Sequence, residues 1–336
     1  MFYAGLDIHK KFIYATILNE KSKIVNQGKF GTNEKELMDF LGFLPNKQVK
    51  IVIESCGIWQ DIYEILEDKG YKVMLANPHK LKAIASAKIK TDKIDSEILA
   101  KLLKGNLIPE VYVPSKEIRE LREIVRHRQS LVKIRTSLKN QIHAILRRNN
   151  VKYPLKDIFT IKAKAFLRGQ NNVKIDSYLK ILEHIEKEIK DIKIKAMSIE
   201  KFEGQARLLK TMPGIGDVAA YLILAEIGDI NRFDSPSKLC SYAGLVPSIS
   251  QSGEKSYSSK ITKQGSKWLR WINIQCANKA VNLPCRMQTN FYKLNAKKKR
   301  NVALTAIARK MLYYQWHMLK YNQPYIDDHP SRMSEA

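Results

Sequence analysis

The chain has 336 residues, 44% of them hydrophobic, with 59 Lys and Arg against 33 Asp and Glu, a formal net charge of +26. This apolar content excludes a wholly disordered chain, and 15 Gly and 11 Pro exclude a collagen-like or low-complexity one. No apolar run approaches the roughly 18 residues of a membrane span, the opening MFYAGLDIHKKF lacks the apolar core of a signal peptide, and Cys56, Cys240, Cys276 and Cys285 show no CxxC spacing. The expectation is a cytoplasmic, reducing setting, no membrane partner, no zinc module or disulfide framework, and about two domains with room for a small third.

The first strand is predicted at residues 2–8 (FYAGLDI) and the second at 11–18 (KFIYATIL), with a tight turn at His9–Lys10. A third strand follows at 23–30, then a helix over 33–44 capped by Thr32 or Asn33. The β-branched VKIVIE at 49–54 is a fourth strand. An amphipathic helix at 58–69 stops at Gly70, and YKVMLA at 71–76 is a fifth strand. The order β-β-β-α-β-α-β, then helices, predicts a mixed sheet, antiparallel at one edge and parallel at the other.

Charge is uneven along the chain. Residues 1–105 carry a net +4 and no Arg, whereas residues 106–336 carry +22. Such a surplus repels itself unless a polyanion neutralises it, which makes nucleic acid the expected partner; a solvated basic surface or an anionic membrane patch is the alternative. A long helix is predicted over 118–146, with Leu131, Ile134, Leu138, Ile142 and Ile145 on one face. From Ile124 to Arg148 it carries Arg126, Arg128, Lys133, Arg135, Lys139, Arg147 and Arg148 and no acid, so its other face suits phosphates. Tyr178, Leu182, Ile185, Ile189, Ile192, Ala196 and Ile199 then form a heptad seam on a helix over 176–202. The seam fits pairing within one chain or between chains. Residues 149–175 carry little pattern.

Farther on, LLKTMPGIGDVAAYLILAEIG predicts two helices about a Pro213-Gly214-Ile215-Gly216 turn, a phosphate-approachable turn at Gly214 and Gly216 or simply a tight connection. A helix starting at Asp234-Ser235-Pro236 ends at Gly244. The serine-rich stretch 248–260 reads as a loop, and its residues do not by themselves select a nucleophile. KQGSKWLRW places Lys263, Lys267 and Arg270 beside Trp268, suited to backbone binding, with Trp268 equally suited to anchoring a core. Helices are predicted over 263–276 and 302–321, separated by the basic run Lys297–Arg300.

Four carboxylates stand out. Asp7 lies at the end of the first strand, Glu54 ends the fourth, and Asp92 and Asp95 are three apart in KTDKIDSEILAKLL. Carboxylates gathering at strand ends would repel unless divalent cations such as Mg²⁺ neutralise them, and two such ions can clamp a phosphodiester. Asp7 is also an ordinary strand-end residue type, and Asp92 an ordinary cap with Asp95 in the first turn.

The run GLDIHK, IESCGIW, KTDKIDSEILA, MPGIGDVAAYLILAEIGDINRF, YAGLVPSISQSGEKS and ITKQGSKWLR, in this order, resembles the DEDD-type transposases of the insertion-sequence-110 family. The resemblance implies an α/β plus α chain: a RuvC-like, RNase H-type N-terminal domain (1–112), a coiled-coil linker of long helices (113–204), a helical transposase domain (205–325) and a tail (326–336). It implies Asp7, Glu54, Asp92 and Asp95 as the Mg²⁺-holding DEDD tetrad and Ser252 as a nucleophile that bonds covalently to DNA. It further implies donor and target DNA, a structured non-coding guide RNA (the bridge RNA), and a dimer or tetramer with composite active sites, nucleoid-associated in a prokaryotic cytoplasm. A metal-dependent nuclease or junction resolvase using only the DEDD residues, and a non-catalytic RNA-binding scaffold, are the rival expectations.

Overall fold

The computed structural model describes residues 1–42, 44, 48–85, 91–153, 157–252 and 255–327, with backbone alone for 249–252 and 255–259. The described chain forms two compact units, Met1–Val113 and Pro114–Ala336; residues 328–336, most of the expected tail, lie outside the described residues.

In the first unit, β1 (Phe2–Ile8), β2 (Phe12–Leu18), β3 (Ile24–Gly31), α1 (Glu34–Leu41), β4 (Val49–Glu54), α2 (Trp59–Asp68), β5 (Lys72–Ala76), α3 (Pro78–Ile84) and α4 (Asp92–Lys104) follow in order. The five strands form one sheet in the order β3-β2-β1-β4-β5. β1–β2 and β2–β3 are antiparallel, β1–β4 and β4–β5 parallel, the mixed arrangement that the element order predicts.

Side-chain alternation sends residues to opposite faces. Ala4, Leu6, Ile51 and Ile53 pack with Leu37 and Leu41 of α1 and Ile62 and Leu66 of α2. The opposite face, with Val52 and Ala76, is covered by Leu81 of α3 and Leu99, Leu102 and Leu103 of α4. Burying each such leucine contributes about 2 kcal/mol. Asn33, one of the two expected caps, starts α1 by accepting from the Glu36 amide at 3.0 Å.

The second unit opens with α5 (Lys116–Arg148), followed by α6 (Ile161–Arg168) and α7 (Val173–Met197). α7 packs along α5, and Ile142 and Leu146 share a core with Leu179 and Leu182. The seam is therefore used within the chain and gives no independent argument for self-association. Leu182, Ile185, Ile189 and Ala196 are buried as the heptad predicts. Ile134, placed on the packing face of α5 by its spacing, is instead 48% exposed. The poorly patterned 149–175 contains α6, whose Leu167 joins Ile158 in that core.

Next come α8 (Glu203–Lys210), α9 (Asp217–Ile227), α10 (Pro236–Tyr242), β6 (Pro247–Ser252), β7 (Lys255–Ile261), α11 (Lys267–Ala280), α12 (Arg286–Asn295) and α13 (Arg300–Tyr321). α9, hydrophobic all round, is buried along most of its length, and α13 packs on α8, α10, α11 and α12. The serine-rich stretch is an antiparallel hairpin rather than a loop. Ladder hydrogen bonds are made by the backbone, so a polar sequence pairs where its neighbours hold both strands; the Ser248 hydroxyl also donates to the Lys260 carbonyl at 2.9 Å. α11 begins four residues later than its pattern suggests, because Ser266 caps it, accepting from the Leu269 amide at 3.1 Å. No helix among the described residues is long and apolar enough to cross a membrane.

Candidate active site and nucleic-acid surface

The acidic centre is built by parity and one close helix–sheet contact. The parallel register pairs Gly5 with Val52 and Leu6 with Ile53, so Asp7 and Glu54 come next on adjacent strands and share the face that α4 covers. Gly5 lets α4 settle there: a Cβ would collide with the Ser96 carbonyl oxygen and the Ala100 nitrogen. A buried hydrogen bond between the Thr16 and Ser96 hydroxyls, 2.7 Å long, fixes the contact. Thr91 caps α4 by accepting from the Ile94 amide, so Asp92 is not the cap; Asp92 and Asp95 lie in the first turn.

His9 joins this group. Its Nε2 lies 3.2 Å from Asp7 Oδ2 and 3.2 Å from Asp92 Oδ1, and the Thr32 hydroxyl donates to the His9 carbonyl at 2.8 Å. Asp7, His9 and Asp92 each offer a ligand atom, all within 4.8 Å of one another. Burial pushes the Asp7 carboxyl above its ordinary range, His9 opposes the shift, and the Asp92 and Asp95 charges add to it. Asp7 thus senses both acids of α4, while Glu54 follows from the sheet register. Sequence reasoning missed His9, although its position two residues beyond Asp7 was the available signal. The donor set suits a divalent cation: two carboxylate oxygens and an imidazole nitrogen lie within reach of a common point.

Ser252 ends β6, with Lys255 opposite it in the register; its backbone is described and its side chain lies outside the described residues. The basic candidates divide. Arg126 is engaged with Glu226, a 1%-exposed acid of α9, through Nε–Oε1 at 2.8 Å and Nη2–Oε2 at 3.0 Å. Ser266 donates to the same carboxylate at 2.8 Å. Arg270 donates to the Ala243 carbonyl at 2.9 Å, and Lys139 lies 3.8 Å from Glu186. Glu226 was also missed, though a lone acid in LILAEIG marks it. Arg128 is half-buried beside Arg135, with no acceptor for its Nε among the described residues.

Arg147 and Arg148 are exposed at the end of α5, as are Lys133, Lys263 and Lys267; Lys133 sits 5.1 Å from the Trp268 ring centre. In the Pro213–Gly216 turn, Gly214 has φ +88°, and a Cβ there would strike the backbone of α11 at Cys276. Gly216 precedes α9 with open space around its Cα.

Carboxylates meeting at a sheet, with a strongly basic helical unit following in the chain, are what an enzyme acting on nucleic acid needs. Comparison with known proteins narrows the class. Residues 4–150 match a family described as a transposase of the DEDD insertion-sequence-110 type, and residues 206–293 match the "Transposase IS116/IS110/IS902 family".

The chain is 25% identical to "Putative transposase y4qE" of Sinorhizobium fredii, over 76% of this chain and 71% of that one. It is 23% identical to "Transposase for insertion sequence element IS1111A" of Coxiella burnetii, over 96% and 90% respectively. Its identity to "Pilin gene-inverting protein" of Moraxella bovis is 25%, over 96% and 97%. The chain belongs to the insertion-sequence-110 family of DEDD transposases. It is a DNA-acting transposase or recombinase, and the DEDD type implies a divalent metal at the acidic centre.

Proposed function

We propose that the first unit is a RuvC-like, RNase H-type catalytic domain and that the chain exchanges DNA strands under the guidance of a structured RNA. Asp7, Glu54, Asp92 and Asp95 would hold Mg²⁺, with His9 beside them. The observation that carries this reading is the approach of Asp7 to Asp92 through His9, on the sheet face that Glu54 shares. Bound Mg²⁺ would supply Lewis-acid polarisation of the scissile phosphate. The residues of the chain do the rest. Gly5 and the Thr16–Ser96 hydrogen bond orient the first turn of α4, and the Thr32–His9 bond fixes the loop after β1.

Ser252 is the nucleophile in this reading. Its Oγ forms a bond to phosphorus as the bond from phosphorus to the departing deoxyribose oxygen breaks, and the serine proton ends on that oxygen. The phosphoserine ester conserves the linkage, so a new DNA end regenerates the serine by the reverse step without ATP. Similarity to pilin gene-inverting proteins over nearly the whole chain supports recombination beyond simple cleavage. The family resemblance supports a dimer or tetramer in which one subunit's serine serves another's acidic centre. It likewise supports a linker of long helices over residues 113–204, a helical transposase domain over 205–325, and a nucleoid-associated enzyme.

Among the candidate cations, the exposed Lys133, Arg147, Arg148, Lys263 and Lys267 would meet donor DNA, target DNA or RNA backbones, and Arg128 beside Arg135 favours an anion between them. Gly214 and Gly216 offer backbone amides to a phosphate if the turn opens toward one. Base pairing rather than side chains would read the target.

The test is Ser252→Ala with an element carrying its own flanking transcript. Recombination should vanish, and rewriting the pairing segment of the RNA should redirect the wild-type enzyme. A nuclease or resolvase would still cleave DNA with Ser252→Ala. An RNA-binding scaffold would keep full biological activity with Asp7→Ala or Asp92→Ala.

A further inference from the structure

Beyond the acidic centre and the serine hairpin, the second unit carries an open groove along α13. A cavity of about 800 Å³ lies between the root of the hairpin and α13. Its floor is apolar: Leu245, Pro247 and Ile261 on one side, Val302 and Ala306 on the other. Val302, Thr305 and Ala306 fall at i, i+3 and i+4 and so share one face of the helix. Val302 is 55% exposed, a large apolar side chain left to solvent. A second hollow of about 410 Å³ shares Ala306 and Arg309 and continues to Tyr313. There the groove meets a ladder of rings: Tyr313 and His317 have centroids 4.9 Å apart, and His317 and Tyr321 are stacked at 5.9 Å and 26°. Tyr313 and Tyr321 are about half exposed, at 46% and 57%.

Charge selects the occupant. Lys260, Lys263 and Arg309 rim the first hollow and Arg309 and Lys310 the second, and no carboxylate lines either among the described residues. A second copy of a chain with net charge +26 would bring its own cations against that rim. The groove suits a ligand that is flat and apolar in its middle and anionic along its edge.

We propose that this groove binds an unpaired nucleic-acid strand, with bases on the apolar floor and the α13 ring ladder, and phosphates on the Lys and Arg rim. A cationic channel interleaved with exposed rings is how sequence-indifferent single-strand sites are built, because every base has a stacking face. Duplex DNA keeps its bases inside and cannot use the floor. From Val302 to Tyr321 the helix spans about 28 Å at 1.5 Å per residue, room for several nucleotides. The proposal rests on the DNA-recombining reading for its purpose, since strand exchange exposes single strands and the groove adjoins the hairpin that ends in Ser252.

The test uses the full-length chain and a fluorescein-labelled oligothymidylate of about 12 nucleotides, within the size range of single-strand sites, with a blunt duplex of equal length as control. Ala306→Trp fills the floor and Tyr313→Ala removes the first ring. Each should weaken oligothymidylate binding about tenfold, the loss of roughly one stacked base, and leave duplex binding unchanged. Unchanged thermal midpoints confirm folding, and Val302→Gln replaces either variant that fails this check.

Equal affinity of all variants for oligothymidylate overturns the proposal. So does an equal loss of duplex binding, or a change in sedimentation in place of a change in binding, which would make another protein copy the occupant. The outcome is separable from the recombinase reading. A covalent adduct at Ser252 with no groove effect removes only the groove, and a groove effect without any adduct removes only the serine chemistry.

Discussion

The two units handle charge in opposite ways. The first has a modest surplus, net +4 over residues 1–105, yet brings Asp7 and Asp92 within reach of one imidazole, where burial raises the Asp7 carboxyl above its ordinary range against the opposing pull of His9. The second holds most of the cations, and several are already engaged by acceptors within the fold. Arg119 donates to the Pro114 carbonyl and Arg122 to that of Ala225, while Arg126 is tied to the buried Glu226. The lesson is that net charge along a chain overstates the surface that meets nucleic acid, whereas a few carboxylates aligned by sheet register carry more functional information than their number suggests.

The largest effect that would break this comparison lies in the first unit. Asp92→Ala should lower DNA strand cleavage on the order of 10³-fold, as loss of a charge-stabilising group at a reacting centre does, with unchanged circular dichroism; gel analysis of end-labelled DNA measures it. In the second unit, Glu226→Ala should destabilise the fold by about 2 kcal/mol, because the partly exposed Arg126 and the Ser266 hydroxyl lose their acceptor, a loss visible in urea unfolding. Arg148→Ala, by contrast, should change stability by less than about 0.5 kcal/mol while lowering the salt slope of DNA binding by about 1.

A smaller effect sharpens the acidic side. Burial raises the Asp7 carboxyl above its ordinary range. In the absence of metal, the folded state therefore holds this proton to higher pH than the unfolded state, and stability falls as pH rises through the carboxylate range. Asp7→Asn should raise the melting temperature at about pH 7 and leave it unchanged near about pH 3, below both pKa values; thermal scans at the two pH values check the sign. The smallest effect concerns the thiols. Cys240, Cys276 and Cys285 are buried, with Cys276 pushed up to about 12, while Cys56 is half-exposed, so brief iodoacetamide treatment should label Cys56 first in a peptide map.

Much of the first unit is legible because its strands are short apolar runs separated by polar turns, the fourth strongly β-branched, and Gly70 stops the helix before the fifth. Alternation along FYAGLDI and VKIVIE even fixes which face Asp7 and Glu54 share once the strands are paired. His9 is harder to see, since its place two residues beyond Asp7 gains meaning only when Asp92, far along the chain, arrives beside it. In the second unit, the α7 heptad is readable but its partner is not: the same seam serves α5 or another chain, and only three-dimensional packing decides. The hairpin at 247–261 escapes because its pairing is made by backbone groups that serine side chains do not advertise. The captures of Arg122 and Arg126 escape because their acceptors, the Ala225 carbonyl and the Glu226 carboxylate, lie about a hundred residues away in sequence.

The central claim is that the first unit's carboxylates form one cation-holding centre. Isothermal titration of Mg²⁺ into the full chain and into its Asp7→Asn and Asp92→Asn variants tests it most directly. The account predicts saturable binding by the wild-type chain and a loss of at least about tenfold in affinity in each variant, with folding intact. Equal Mg²⁺ binding by all three proteins, or none by the wild-type chain, would contradict it.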